Sequence, residues 1–233
     1  MWSNVITVLS IENREEFPKE LWETLLEFVP EPLQKKANTF RFWKDRQAFL
    51  LGRCLLLLVL RRHTDKSLKD VYYDEFGKPT IGTQMAFNIS HAGSFVLCAF
   101  STNEEAIGID IEQISEGIDL ELFTNILSDQ EWEDVMEAPC KYTRFFDYWT
   151  IKEAVSKADG RGLNIPLDKI RLNAAGVTVE NKQWFINKLE IDKSHPCHLV
   201  ASKPIYEVEI HTLDSAELVY HLLLVQNLYK QTS

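Results

Sequence analysis

Ile107-Gly108-Ile109-Asp110-Ile111-Glu112 alternates apolar and acidic residues near the middle of a 233-residue chain. In a strand, alternate side chains share a face. Ile109 and Ile111 then enter a core, while Asp110 and Glu112 point together to the other side. Upstream, residues 85–89 and 95–100 read as two further strands. Downstream, residues 120–136 and 142–157 read as helices, the second closed by Gly160 and Gly162. The earlier chain has the same order. Residues 18–29 read as a helix, with Leu21, Trp22, Leu25 and Phe28 at helical spacing, and Pro30 and Pro32 break it. Residues 33–62 read as one long helical region kinked near Phe42, apolar almost all round in its second half and therefore central. Strand-like pieces begin at Val71-Tyr72-Tyr73, and Gly77-Lys78-Pro79 is a turn. The later chain reads as β near residue 170 and at 184–191, 198–201 and 208–213, then as a helix at 215–229. Helix then strands, twice over, predicts an α+β fold of two similar halves, residues 1–105 and 106–233.

Composition narrows the class. A formal charge of −10, from 35 acidic and 25 basic residues, is the wrong sign for a protein that tracks nucleic-acid phosphates. A local basic stretch survives, including Lys35, Lys36, Arg41, Lys44, Arg46 and Arg53. The four cysteines form no CxxC pair and read as reduced thiols of a cytoplasmic protein. The start, MWSNVITVLS, has no basic region followed by an apolar one, so no secretory leader is expected. The apolar run at residues 54–60 is too short to cross a bilayer, which needs about 20 residues.

The chemistry gathers in three places. Asp110 and Glu112, about 6–7 Å apart on one strand face, repel by ~2.5 kcal/mol at an effective dielectric near 20. If that face is sheltered, a cation is the natural remedy; if it is open, none is needed. In Trp149-Thr150-Ile151-Lys152-Glu153-Ala154-Val155-Ser156-Lys157, Glu153 and Lys157 share a helix face with Trp149. Glu153 could add a third carboxylate, an oxygen set suited to Mg²⁺, with Mn²⁺ as the alternative. Phe87-Asn88-Ile89-Ser90-His91 ends a strand in a hydroxyl and an imidazole beside Gly93, a corner able to face an anion. No acid completes a hydrolase triad, there is no Gly-x-Ser-x-Gly elbow, and His195 and His198 are not read as a zinc pair.

Taken together, Gly77-Lys78-Pro79, the Phe87–His91 segment, Gly108-Ile109-Asp110-Ile111-Glu112 and Trp149-x-x-Lys152-Glu153-Ala154-x-x-Lys157 resemble the 4′-phosphopantetheinyl transferases of the two-repeat, monomeric type. The resemblance runs over residues 33–163. It implies two pseudo-symmetric α+β halves with coenzyme A in the cleft between them. It implies that Asp110, Glu112 and Glu153 hold Mg²⁺ on the diphosphate, that Lys157 and His91 contact phosphates with Ser90 beside them, and that Lys78 and Pro79 border the adenine. Glu131 matches a further active-site acid of some members. Near the 3′-phosphate Lys36 fits the family pattern, but the chain departs from it at Leu33, where a lysine is expected, and at Phe49, where a small polar residue is expected; Lys35, Arg41 or Arg46 could substitute. The implied partner is an apo acyl or peptidyl carrier protein, with no nucleic acid and no membrane. Two rivals remain at this level: a metal-dependent phosphodiesterase or nuclease using the same acids, and a coenzyme A- or carrier-binding module without chemistry.

Overall fold

The computed structural model describes residues 5–82, 85–103, 106–173 and 176–232. Residues 1–4 of the leader reading, and residue 105 of the division into halves, lie outside them. The structure is an α+β fold with two main sheets. The first has the order β11 (Glu207–Leu213), β1 (Val5–Glu12), β5 (Phe95–Ser101), β4 (Ala86–Ala92), and the second β6 (Ile107–Ile111), β10 (Cys197–Ala201), β9 (Lys182–Lys188), β8 (Gly176–Val179), β7 (Arg171–Asn173).

Strand β1 (Val5–Glu12) has no counterpart in the sequence reading, which found no leader pattern in MWSNVITVLS and assigned no element there. It lies inside the first sheet, antiparallel to β5 (Phe95–Ser101) and parallel to β11 (Glu207–Leu213). Ile6, Val8, Leu9 and Ile11 are all buried. Strand β4 (Ala86–Ala92) forms the other edge. Helix α1 (Lys19–Glu27) follows Pro18, as expected.

The long helical region is two helices, not one kinked helix: α2 (Glu31–Ala37) and α3 (Trp43–His63). The Thr39 hydroxyl donates to the Lys36 carbonyl at 2.7 Å, and Phe42 is extended, with φ −97° and ψ 137°. A side chain that satisfies the helix end in this way competes with helix continuation. Residues 54–60 of α3 are all buried against α1, the first sheet and the C-terminal helix α6 (Ser215–Thr232), which matches an element apolar on every side. A small hairpin of β2 (Tyr72–Tyr73) and β3 (Pro79–Thr80) carries the Gly77-Lys78 turn.

The second sheet starts at β6 (Ile107–Ile111), which pairs with β10 (Cys197–Ala201). Beyond β10 come β9 (Lys182–Lys188), β8 (Gly176–Val179) and β7 (Arg171–Asn173). The helix expected over residues 120–136 is also divided. A 3₁₀ turn, Leu120–Ile126, precedes α4 (Asp129–Glu137). Ser128 starts α4 through a capping box with Glu131, a four-residue signal that was legible in the sequence. Helix α5 (Lys141–Asp159) covers β6 and ends at Gly160 with φ 96°, a left-handed cap that glycine adopts without strain.

Two features join the sheets. Ile6, Val8 and Leu97 of the first share a core with Ile107, Ile109 and Ile111 of β6. In addition, β6 is an edge strand whose outward N–H groups need acceptors. Asn88 Oδ1 accepts from Ile109 N at 2.9 Å and Ser90 Oγ from Ile111 N at 3.3 Å. Side chains of β4 thus stand where a neighbouring strand would. Among the described residues, no helix is long and apolar enough to cross a membrane.

Candidate active site

The junction of β4, β6 and α5 places most of the expected residues together. Asp110 is only 3% exposed, so the acid face of β6 is sheltered rather than open. Lys157 Nζ donates to Asp110 Oδ1 at 2.6 Å, to Ser90 Oγ at 3.0 Å and to the Ile109 carbonyl at 3.3 Å. Ser90 Oγ donates in turn to Asp110 Oδ1 at 3.0 Å. The other carboxylate oxygen, Asp110 Oδ2, is buried with no hydrogen-bond partner.

The charges around this cluster do not balance. Burial pushes the Asp110 carboxyl up, against the pull of Lys157. Glu112 is pushed up to about 7, first by burial and then by the charge of Asp110, although Trp149 Nε1 donates to its Oε1 at 3.3 Å. Glu153 is raised by burial and by Asp110, with Lys157 opposing. Three carboxylates thus share the one ammonium of Lys157. Among the described residues, no three His, Cys, Asp or Glu side chains stand close enough together to form a metal ligand set. The donor chemistry nevertheless fits a hard divalent cation: an orphaned, buried carboxylate oxygen beside two acids whose carboxyls are pushed up by burial and then by the Asp110 charge.

Lys157 and His91 also line a cavity of about 330 Å³, together with Phe49, Arg53, Lys78 and Pro79. His91 is exposed. Desolvation, followed by the nearby Lys157 charge, lowers its pKa, which favours the neutral imidazole. Lys78 Nζ donates to the Ala158 carbonyl at 2.9 Å, tying the hairpin to the end of α5. Burial lowers its pKa to about 8. Lys36 stands apart from the cavity wall, exposed, 5.4 Å from the Phe49 ring centre.

Glu131 is drawn into a structural pair. Its Oε2 accepts from Ser128 N at 2.8 Å and lies 2.8 Å from Lys152 Nζ. Lys152 is fully buried and also donates to the Leu167 and Ile170 carbonyls at 2.9 and 2.8 Å. Replacing Lys152 with Met is expected to cost about 3 kcal/mol, because it leaves a carboxylate and two carbonyls buried without their donor. Urea unfolding checks this, and adding Glu131→Gln to the variant should recover part of the loss. Sequence reading named Asn88 within a motif and Arg53 within the basic stretch but gave neither a role; that of Asn88 depends on a strand edge brought from 21 residues away, and helical periodicity alone does not mark out Arg53 as a cavity residue.

Comparison with known proteins bears on the family rather than on single site residues. Residues 17–103 match the family described as 4′-phosphopantetheinyl transferase, N-terminal, and residues 106–202 match the 4′-phosphopantetheinyl transferase superfamily. The chain is 30% identical over 210 residues to 4′-phosphopantetheinyl transferase Sfp of Bacillus subtilis (strain 168), covering 84% of this chain and 92% of that protein. It is 35% identical over 138 residues to 4′-phosphopantetheinyl transferase HetI of Nostoc sp., covering 55% and 58%. It is 25% identical over 224 residues to the L-aminoadipate-semialdehyde dehydrogenase-phosphopantetheinyl transferase of Saccharomyces cerevisiae, covering 82% of each. With paired family matches over both halves and a relative of this similarity along almost its whole length, the chain belongs to the 4′-phosphopantetheinyl transferases of the Sfp type.

Proposed function

We propose that this protein transfers the 4′-phosphopantetheine arm of coenzyme A to a serine of an apo carrier protein, with Asp110, Glu112, Glu153, His91 and Lys157 as its working residues. Family membership carries the reaction class. The observation that carries the assignment of the site is the buried Asp110–Lys157–Ser90 cluster with its surplus of carboxylates, set beside the cavity.

In the reaction, the serine hydroxyl oxygen attacks the phosphorus bearing the pantetheine arm. The bond from that phosphorus to the bridging diphosphate oxygen breaks, and 3′,5′-ADP leaves. Such transfer depends mainly on positioning and charge stabilisation. Asp110, Glu112 and Glu153 would hold Mg²⁺ or Mn²⁺, which supplies positive charge for the diphosphate when bound. Lys157 uses all three donors in the structure, and its longest bond, to the Ile109 carbonyl, is the cheapest to exchange for a phosphate oxygen. Neutral His91 offers an N–H to the same oxygens. Glu153 accepts the serine proton, directly or through water. Lys78 and Pro79 border the adenine.

The reading includes a cytoplasmic monomer acting on neither nucleic acid nor membrane; the net charge of −10 supports the exclusion of nucleic acid. Its division at residue 105 is one of repeated element order, since β11 and α6 return from the chain end to pack with the first sheet and α3. The phosphodiesterase rival finds no support in the family matches. Intact mass spectrometry of a panel of apo fatty-acid, polyketide and peptide-synthetase carriers, incubated with coenzyme A and Mg²⁺, tests the reading. A phosphopantetheine-sized gain abolished by EDTA is expected. Coenzyme A binding with no gain on any carrier would leave only a binding module.

A further inference from the structure

Glu153 and Lys157 ride on α5, while Asp110 stands on β6, so the slide of the helix along the sheet decides whether the site forms. Two rows of side chains cross the sheet beneath α5, because residues opposite one another in register share a face. The first row is Gly108 on β6, Val200 on β10 and Ile186 on β9. Val200 and Ile186 pack there with Ala154, Val155 and Ala158 of the helix. The second row, one step along the same face, is Asp110, His198 and Lys188. Apolar contact is non-directional, so the first row holds the helix close without demanding one pairing of atoms. The second row is polar, and hydrogen bonds are directional. His198 Nδ1 lies 2.8 Å from Thr150 Oγ1 of α5, and both residues are buried. The Thr150 hydroxyl is also 2.8 Å from the Phe146 carbonyl, which takes its one proton. That network assigns the His198 proton to Nδ1, which donates to Thr150 Oγ1. Burial lowers the pKa of His198 to about 4, so the imidazole is neutral. At the outer end of the row, half-exposed Lys188 reaches Asp147 of α5 at 2.8 Å, a kind of pair that contributes little.

A buried polar pair gains little stability over an apolar pair of the same shape. It does demand one geometry, because a displaced helix would leave an imidazole N–H and a hydroxyl unsatisfied in the core. Thr150 sits one turn before Glu153 and two turns before Lys157, so its placement is passed along a rigid element to both. His198 itself does not line the cavity. We propose that His198 is a positioning residue for the transfer reaction: by donating to Thr150 it fixes the slide of α5 over β6 and so holds Glu153 and Lys157 at Asp110. The inference rests on the site assigned above.

Urea unfolding, steady-state transfer and crystallography of a variant set test it. His198→Leu and Thr150→Val each leave one buried polar group without its partner, and each should lower the urea midpoint. The double variant has an apolar pair and should regain most of that stability. Its rate should not return. In His198→Leu and in the double variant, kcat per folded molecule should fall about 10- to 100-fold, the cost of a displacement near 1 Å at a reacting centre. KM for coenzyme A should change less than about threefold. His198→Asn, which keeps an N–H at the δ position, should regain most of the lost rate. Leu222→Ala, a cavity in the core beneath α6, is the control: it should lose stability, while its folded molecules turn over normally. If a single variant fails to fold, the double variant carries the comparison alone. A crystal structure of the double variant should show Lys157 Nζ drawn away from Asp110 Oδ1, its partner at 2.6 Å in the unaltered protein. A double variant that regains rate together with stability, or whose α5 has not moved, would show that the pair only fills the core. If the unaltered protein modifies no carrier, the transferase reading fails, while the position of α5 still decides whether His198 places the helix.

Discussion

Replacing Gly108 with alanine is expected to destabilise the protein by about 4 kcal/mol or more, well beyond the usual range for one added methyl. A Cβ at this position would lie 2.6 Å from the Ala158 amide nitrogen and closer still to the Ala154 carbonyl oxygen. Both are backbone atoms of α5, which cannot swing aside as a side chain can. Strand β6 and α5 must therefore separate, although Ala154, Val155 and Ala158 of that helix are buried in one core with Val200 of β10, the strand beside β6. The same helix carries Lys152, Glu153 and Lys157, and β6 carries Asp110. A shift of about 1 Å at a reacting centre can cost about 100-fold in rate. Urea unfolding should show the loss of stability, and transfer by the remaining folded protein should be nearly absent. Gly117→Ala, where an added Cβ meets nothing within 4 Å, is the matched control and should fall within about 0.5 kcal/mol of the unaltered protein. A Gly108→Ala protein that unfolds like that control would show that the helix and strand can part without penalty.

Replacing Glu153 with Gln is expected to lower turnover by about 10³-fold or more while leaving coenzyme A binding largely intact. Glutamine keeps the side chain's size but cannot take a proton from the attacking serine, a contribution of about 10²–10⁴. It also removes one of the three carboxylates of the surplus. Burial first, and then the charge of Asp110, push the carboxyls of Glu112 and Glu153 up, so a neutral amide at position 153 relieves part of that cost. The variant should therefore unfold at no lower temperature than the unaltered protein, which separates loss of chemistry from loss of structure. Intact mass spectrometry of the carrier gives the rate, calorimetry the binding, and a thermal melt the fold. Near-normal transfer would remove Glu153 from the base role and leave the proton to bulk water or to another group.

Much of this molecule can be read along the chain. Strand alternation put Asp110 and Glu112 on one face, and helical spacing put Trp149, Glu153 and Lys157 on another. The family was legible because those motifs fall in a fixed order. Other local signals were present but passed over. The apolar, β-branched run of residues 5–11 marks β1, and Ser128 with Glu131 marks the start of α4 rather than the middle of a longer helix. The end of α2 is set by Thr39, a hydroxyl able to compete for a helix carbonyl, and is subtler in sequence.

By itself the sequence determined the elements, the faces their side chains share and the kind of chemistry those side chains can perform, because periodicity and residue type are local properties. Only the tertiary structure decided that Asn88 and Ser90 complete the edge of β6, that Glu131 is taken up by Lys152, that β11 returns to lie beside β1, and that His198 meets Thr150. Each of these depends on which distant segment covers a given face. That choice is made by burial and hydrogen-bond satisfaction summed over the whole core, not by any window of the chain.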